Sequence, residues 1–296
     1  MILLELHVTL YSNQTGSAVS ASPFLGGILH GTFERLVRMH APIICRDLGI
    51  AADSQLKRYA ILPPPYRWYQ QLTQQAKTMK CGIILYDKSQ RYAQTIEALL
   101  KQWHEIRFEG RTDRVHCDQI TFHMPDIETA AQQKPNLQSI NSQNHFTHIH
   151  SPCNHITLHF FTPLTTKNLQ LPKLLPIVRS IAKRIQKLEP SLADSLNLGS
   201  LAWVEAEEQI RRLPIAQHQL EPVDWKYHSS NHANCIPCTG LLGQIHFTGH
   251  IPAAITTLLH WGQWIGAGQG PALGQGMYYI NETLIRFDAF TSENPE

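Results

Sequence analysis

The sequence predicts an α+β fold in which each of two domains has the element order strand-helix-strand-strand-helix-strand. Apolar and polar residues alternate over several short segments, which is the period-2 pattern of half-buried strands, and between them apolar residues recur at the 3.6-residue spacing of helices. A polar segment rich in Gln, Asn and Ser separates the two halves. The length of 296 residues also favours two domains. We therefore expect an N-terminal domain at 1–125, a linker at 126–153 and a C-terminal domain at 154–296.

The first half contains six predicted elements. Residues 2–10 alternate between apolar and mixed side chains, as in a strand with one buried face. Ser22 and Pro23 supply an N-cap and a first-turn proline for a helix that ends near Met39. The remaining predicted elements are strands at 59–62 and 81–86, a helix at 90–104 and a strand at 115–123.

The second half repeats this order. Its first strand alternates Ile156, Leu158 and Phe160 with polar residues and ends at Pro163. The remaining predicted elements are a helix at 174–188, strands at 201–210 and 241–248, a helix at 252–261 and a strand at 277–287. Two split βαβ units of this kind are two tandem ferredoxin-like, or RRM-like, domains.

Composition limits the classes of partner. The formal charge is only +2, so a surface that binds a polyanion has to be local. The 17 histidines add positive charge wherever they are protonated. Six mostly scattered cysteines suit a reducing compartment better than a disulfide framework. The first residues lack the basic region of a signal peptide, and no apolar run approaches the ~20 residues of a membrane span. We expect a cytoplasmic protein.

A glycine cluster lies between the last predicted helix and the last predicted strand. Glycine is favoured where the backbone needs positive φ or a close approach. The loop therefore either makes a compact crossing or offers its N–H groups to an anionic partner. It does not fit a dinucleotide-binding fingerprint, because here the helix precedes the loop, and it lacks the Gly-Lys-Ser/Thr of a P-loop. The cluster consists of Gly262, Gly266, Gly268, Gly270, Gly274 and Gly276.

Three segments of the second half carry a family resemblance. They are the strand 156–163, which ends in Thr-Pro before a basic helix, Trp225 with the run 240–249, and the loop 258–276. In these segments the sequence resembles the CRISPR-associated endoribonucleases of the RAMP superfamily, which cut precursor CRISPR RNA within its repeats. In the first half the resemblance is carried by the element order and the run 26–31.

The resemblance implies cleavage of RNA without metal or any other cofactor. The ribose 2′-OH attacks the adjacent phosphate and leaves a 2′,3′-cyclic phosphate and a 5′-OH. The implied partners are the repeat hairpin of precursor crRNA, the mature crRNA and other Cas subunits of an effector complex. The alternative function is a non-catalytic crRNA-binding subunit with the same fold.

Two histidines are candidates for the catalytic residue. In the family that the chain resembles, this histidine commonly lies on, or just beyond, the first helix. Histidine suits proton transfer near neutral pH. His40 is the favoured candidate, since it ends the predicted helix beside Arg38, whereas His30 lies mid-helix between Gly27 and Gly31. The alternative for either residue is a surface or packed histidine.

Basic residues and the glycine loop are the candidate RNA contacts. Near the first helix, Arg46 could also stabilise developing charge. On the second-half helix, basic residues recur at i, i+4 and i+8, opposite the apolar stripe, and the alternative is a merely solubilising face. The resemblance implies that this helix lies against RNA, which is contacted largely through phosphates and shape. The candidates are Arg38, Lys57, Arg58, Lys173, Arg179, Lys183, Arg184, Lys187, Lys226, Gly266, Gly268, Gly274 and Gly276.

A short run of metal-ligand residue types lies further along the chain. Its spacing, His228-x3-His232-x2-Cys235-x2-Cys238, suits a compact zinc site. The alternative is a loop between two strands, which we favour. We therefore predict no metal for the chemistry.

Overall fold

A computed structural model describes residues 1–11, 24–51, 56–64, 66, 77–108, 111–123, 150–165, 171–228 and 235–280. It contains two antiparallel sheets with helices, one sheet from each half of the chain. The predicted linker at 126–153 lies almost entirely outside the described residues. The domain boundaries therefore stay predictions.

The first half forms a five-stranded sheet, with strand order β2-β3-β1-β5-β4 and antiparallel neighbours throughout. Its elements are β1 (Ile2–Tyr11), α1 (Gly26–His40), α2 (Cys45–Leu48), β2 (Tyr59–Leu62), β3 (Lys77–Leu85), α3 (Ala93–Lys101), β4 (Glu105–Phe108) and β5 (Arg111–His123). The edge strand β4 pairs with β5 and has no counterpart in the sequence prediction.

The second half forms a four-stranded antiparallel sheet with strand order β7-β8-β6-β9. Its elements are β6 (Cys153–Leu164), α4 (Leu174–Leu188), α5 (Pro190–Ser195), α6 (Leu201–Ile210), β7 (Ile215–His228), β8 (Cys235–Ile251), α7 (Ala253–Ile265) and β9 (Tyr278–Ile280). Once β4 is set aside, both sheets have the same topological order, in which the first strand lies between the third and the fourth. The predicted fold class is confirmed.

One predicted strand is wrong. Residues 201–210 form the helix α6. Trp203, Ala206 and Ile210 are buried on one side of it, at helical spacing, and the Ser200 hydroxyl caps its first turn by accepting from the Trp203 amide at 3.2 Å. The strand follows instead at β7, which pairs with β8 along a long hairpin.

The two halves share a core. Because side chains of a strand alternate between faces, β1 contributes to two clusters. Leu4 and Leu6 pack with α1 and α3, whereas Leu3 joins Ile84 and the apolar faces of α4 and α7. The first sheet therefore lies between its own helices and those of the second half. No helix within the described residues is both long and apolar enough to span a membrane.

The glycine loop closes this arrangement. It runs from the end of α7 to β9, and five of its glycines have positive φ. A Cβ on Gly274 would lie 2.6 Å from the Ile61 carbonyl oxygen and 2.4 Å from Pro63 Cδ, while one on Gly26 of α1 would lie 2.0 Å from the Leu273 carbonyl oxygen. The loop thus packs backbone to backbone against the first half, with no room for side chains.

We expect Gly274→Ala to lower the free energy of unfolding by roughly 1–3 kcal/mol. Alanine would be strained at φ +79°, and its Cβ would collide with the backbone at the end of β2. The matched control is Gly31→Ala, in α1, where a Cβ meets nothing within 4 Å. We expect that change to raise stability by about 0.5–1 kcal/mol. Urea unfolding measures both variants, and equal stability of the two would contradict the close contact.

Candidate functional site

Both candidate histidines lie on α1, but at different places. They are ten residues apart, which corresponds to roughly 15 Å along a helix. His30 is buried near the N-terminal half of α1, whereas His40 is exposed at its last position. Two groups so far apart do not act directly on one phosphate.

His30 is part of a buried hydrogen-bonded network. Its Nε2 lies 2.9 Å from the Tyr59 hydroxyl, and the two rings stack with centroids 5.5 Å apart. The same hydroxyl is 2.8 Å from a carboxylate oxygen of Glu34. Since a tyrosine has one O–H and an ionised carboxylate only accepts, Tyr59 donates to Glu34 and accepts from His30 Nε2–H. This leaves Nδ1 as the only basic nitrogen of a neutral His30.

Burial lowers the pKa of His30 to about 4, because the apolar surroundings disfavour the charged ring more strongly than the neighbouring carboxylate of Glu34 favours it. His30 is therefore neutral at pH 7. With Nε2 committed to Tyr59 and the side chain 9% exposed, His30 is poorly placed to exchange a proton with a bound polymer.

Glu34 is the centre of this network, and the sequence prediction missed it. It accepts from Lys57 Nζ at 2.5 Å and from Arg38 at 2.7 Å, besides Tyr59. Burial by itself raises the pKa of this carboxyl, but the Lys57 hydrogen bond, the nearby His30 and the Tyr59 hydrogen bond outweigh it, so the pKa is lowered. Its place four residues from both His30 and Arg38 was the only signal in the sequence.

His40 has a different environment. It closes α1 at a turn in which the Ala41 amide donates to the Val37 carbonyl at 2.8 Å, and Pro42 begins a short 3-10 turn. Its side chain is exposed and, within the described part of the chain, makes no hydrogen bond or ion pair. An imidazole so placed is accessible to a large substrate.

The nearby cations differ in their partners. Lys57 and Arg38 share Glu34, yet the Arg38 side chain is still 44% exposed. Arg58 pairs with Asp87 at 3.1 Å. Arg46 is exposed and, among the described residues, has no charged partner. The end of α1 therefore presents positive charge whose acidic neighbours are already paired.

The basic row on α4 has the predicted exposure. Arg179, Lys183 and Lys187 are exposed, opposite the buried apolar stripe, and Lys173 precedes the helix, also exposed. Arg179 makes an ion pair with Glu207 of α6 at 2.8 Å. RNA contact by this row stays a prediction.

Arg184 does not join that row. Its Nε and Nη2 atoms are buried without a hydrogen-bond partner within the described structure. Burial lowers the pKa of its guanidinium, although the neighbouring Tyr86 of the first half counteracts this. Tyr86 in turn donates to the Trp264 carbonyl at 2.9 Å. Arg184 thus lies at the junction of the two halves rather than on the solvent-facing row.

The amides of the predicted glycines are used inside the protein. The Gly266 amide donates to the Gly262 carbonyl, and the Gly268 amide donates to the Ser180 hydroxyl. The Gly274 amide donates to the Pro271 carbonyl, and the Gly276 amide to the Pro163 carbonyl, so that all four distances are 2.8 to 3.0 Å. Of the two roles predicted for the loop, this favours the compact crossing over an N–H cradle. RNA contact by the loop surface, and by the exposed Lys226 of β7, stays a prediction.

The His-Cys run from His228 to Cys238 includes residues 229–234, which lie outside the described residues. Within the described part of the chain, no group of three or more His, Cys, Asp or Glu side chains is placed to hold a metal ion.

The buried state of His30 predicts a loss of stability in acid. Because its pKa is about 4 in the folded protein and ~6.5 when unfolded, the unfolded chain binds the extra proton first as pH falls through this window. We expect the unfolding free energy of the wild type to fall between pH 7 and pH 5 by about 2 kcal/mol more than that of His30→Gln. Urea unfolding at both pH values checks this. Tyr59→Phe, which keeps the buried imidazole, should retain the loss; an equal loss in His30→Gln would contradict the assignment.

Residues 158–278 match the family model described as CRISPR-associated endoribonuclease Cas6. No curated protein matches the sequence. Among solved structures, a Cas6 product complex shares 14% identity, with 95% of this chain and 100% of that chain covered and a TM-score of 0.59.

Two further solved structures show the same fold. Cas6 of Thermus thermophilus shares 14% identity over 95% of this chain and 98% of that chain, with a TM-score of 0.55. The product of a Cas6-related gene from Pyrococcus furiosus shares 11% over 95% and 99%, with a TM-score of 0.52. Residues 158–278 are thus similar in sequence to the Cas6 family, and the chain shares the fold of these solved structures.

Proposed function

We propose that the chain binds CRISPR repeat RNA and cleaves precursor crRNA, without a metal ion, to give mature guide RNA. The observation that carries this proposal is the match of residues 158–278 to the Cas6 family model. One of the solved structures with the same fold is a Cas6 product complex.

The proposed reaction is an internal transfer of the phosphate. The 2′-oxygen forms a bond to the adjacent phosphorus as the bond from phosphorus to the 5′-oxygen breaks. A base removes the 2′-OH proton, and an acid supplies a proton to the leaving 5′-oxygen. The products are a 2′,3′-cyclic phosphate and a 5′-OH. Two proton transfers and stabilisation of negative charge are sufficient, so protein side chains can supply everything the reaction needs.

His40 is our candidate for one of these two proton transfers. Its exposure at the end of α1 lets a scissile phosphate approach, whereas His30 is enclosed and its Nε2 is committed to Tyr59. Arg38 and Arg46, on either side in the sequence, provide exposed positive charge for the phosphate. His30 then acts through packing, by holding α1 against β2.

The basic row of α4 is our candidate for binding the repeat hairpin. Lys183 and Lys187 lack acidic partners among the described residues and stand on one helix face. Lysines so arranged can contact successive phosphates of an A-form stem. We also propose that the protein acts in the cytoplasm, retains the mature crRNA and meets other Cas subunits there.

We expect the wild type to cleave repeat RNA in the presence of EDTA and to leave 2′,3′-cyclic ends. His40→Ala should slow single-turnover cleavage by about 10²–10⁴-fold, the usual contribution of a general acid or base. The matched control is His104→Ala, since His104 is also exposed just beyond a helix end. It should cleave at the wild-type rate.

The outcomes of this experiment separate the two functions. RNA binding by the wild type without cleavage would favour the non-catalytic crRNA-binding subunit. If His40→Ala cleaves as fast as the wild type, the role of His40 is refuted, but the endoribonuclease function is not.

Binding of the hairpin should depend on salt through α4. Each phosphate contact contributes about 0.9 to the slope of log K against log salt for a duplex. We expect the double variant Lys183→Ala/Lys187→Ala to reduce that slope by about 2. The readout is filter binding at several salt concentrations, with RNA blocked by a 2′-deoxy group at the scissile nucleotide. Lys101→Ala on α3, whose side chain is 61% exposed, is the control and should leave the slope unchanged. An unchanged slope in the double variant would place the RNA elsewhere.

A further inference from the structure

Two large apolar side chains flank His40 and face solvent. Met39, the residue before it, is 67% exposed, and Ile43, three residues after it, is 89% exposed. Their neighbours Val37, Ala41 and Ile44 are buried. The chain could bury apolar side chains at this turn, yet it leaves these two in water.

Single exposed apolar residues are common on protein surfaces, so exposure alone says little. Here the two residues bracket the one candidate catalytic group that a polymer can reach. They also lie between the exposed Arg38 and Arg46. An apolar pair framed by cations matches a nucleotide, which joins an apolar base face to a phosphate.

The proposed reaction requires an unstacked nucleotide at the scissile step. The 2′-oxygen, the phosphorus and the 5′-oxygen must come into line, and stacked A-form nucleotides do not have this arrangement. The enzyme must therefore unstack a nucleotide at the scissile step and hold it in the reactive geometry. Apolar side chains such as Met and Ile do this elsewhere by inserting at base steps, where they replace the lost stacking.

Another exposed apolar pair among the described residues provides a contrast. Leu201 is 75% and Val204 is 54% exposed on α6, next to the exposed Glu205 and Glu208. Glu208 pairs with Arg211 at 2.6 Å, whereas Glu205 repels phosphate, so this surface is less suited to RNA than the surface around His40. Equal apolarity with opposite charge makes this pair a matched control.

We propose that Met39 and Ile43 contact the bases on the two sides of the scissile phosphate and hold that step unstacked for in-line attack. The inference rests on the proposed function and on His40 as the proton-transfer group. It assigns Met39 and Ile43 to base contact and positioning, and leaves proton transfer to His40.

The experiment uses the full chain and repeat RNA. Single-turnover cleavage is measured at saturating protein. Binding is measured with the 2′-deoxy RNA, which carries 2-aminopurine next to the scissile phosphate to report unstacking by its fluorescence. The variants are Met39→Ala/Ile43→Ala, the conservative Met39→Leu/Ile43→Leu, and the control Leu201→Ala/Val204→Ala. All sites are exposed, so the folds should be unaffected.

We expect Met39→Ala/Ile43→Ala to slow cleavage at least about tenfold and to lose the rise in fluorescence seen with the wild type, while the dissociation constant changes much less, since phosphate contacts supply most of the affinity. The leucine variant should recover both signals, and the α6 control should match the wild type.

Two results would overturn the inference while leaving the enzyme intact: wild-type rate and fluorescence in the alanine pair, or the same losses in the α6 control. A wild type that does not cleave refutes the proposed function instead, and a rise in fluorescence that depends on Met39 and Ile43 would still show the base contact.

Discussion

Alternate side chains of β1 point into two different apolar cores, and both are buried. On one face Leu4 and Leu6 pack under α1 and α3, and on the other Leu3 packs with α4 and α7. Burial of apolar area is the largest favourable contribution to folding, so a strand buried on both faces fixes the two halves relative to each other. The position of α1, and of the histidine at its end, follows from that packing.

The electrostatics of α1 depend on one buried carboxylate. Glu34 holds Lys57, Arg38 and the Tyr59 hydroxyl within hydrogen-bond distance. An unpaired charge at this depth would be strongly destabilising, so the cations stabilise Glu34 as much as it orients them. The cations near α1 are consequently of two kinds. Lys57 and the Arg38 nitrogen that bonds Glu34 maintain the fold. Arg46 and the exposed remainder of the Arg38 side chain are accessible to a ligand.

The sequence was sufficient for the fold class, because long periodic segments such as 26–40 and 174–188 carry their own signal. It failed at 201–210, which was predicted as a strand although the helical spacing of Trp203, Ala206 and Ile210 was the better guide. The site was harder to predict for a physical reason. Arg184 interacts with Tyr86, and His30 with Tyr59, and no local pattern in the sequence reports a contact between distant segments.

The length of α1 has a consequence of its own. The second half touches the helix at Gly26, through Leu273 of the glycine loop, and His40 is the last helical residue. Fourteen steps of 1.5 Å set these points roughly 21 Å apart. Under the proposed function, the length of α1 then sets the distance between the half that carries the basic helix and the phosphate that is cut. One inserted residue would move His40 by about 1.5 Å and turn it by roughly 100°. The number of residues in this helix, more than their identity, would decide which phosphate meets the histidine.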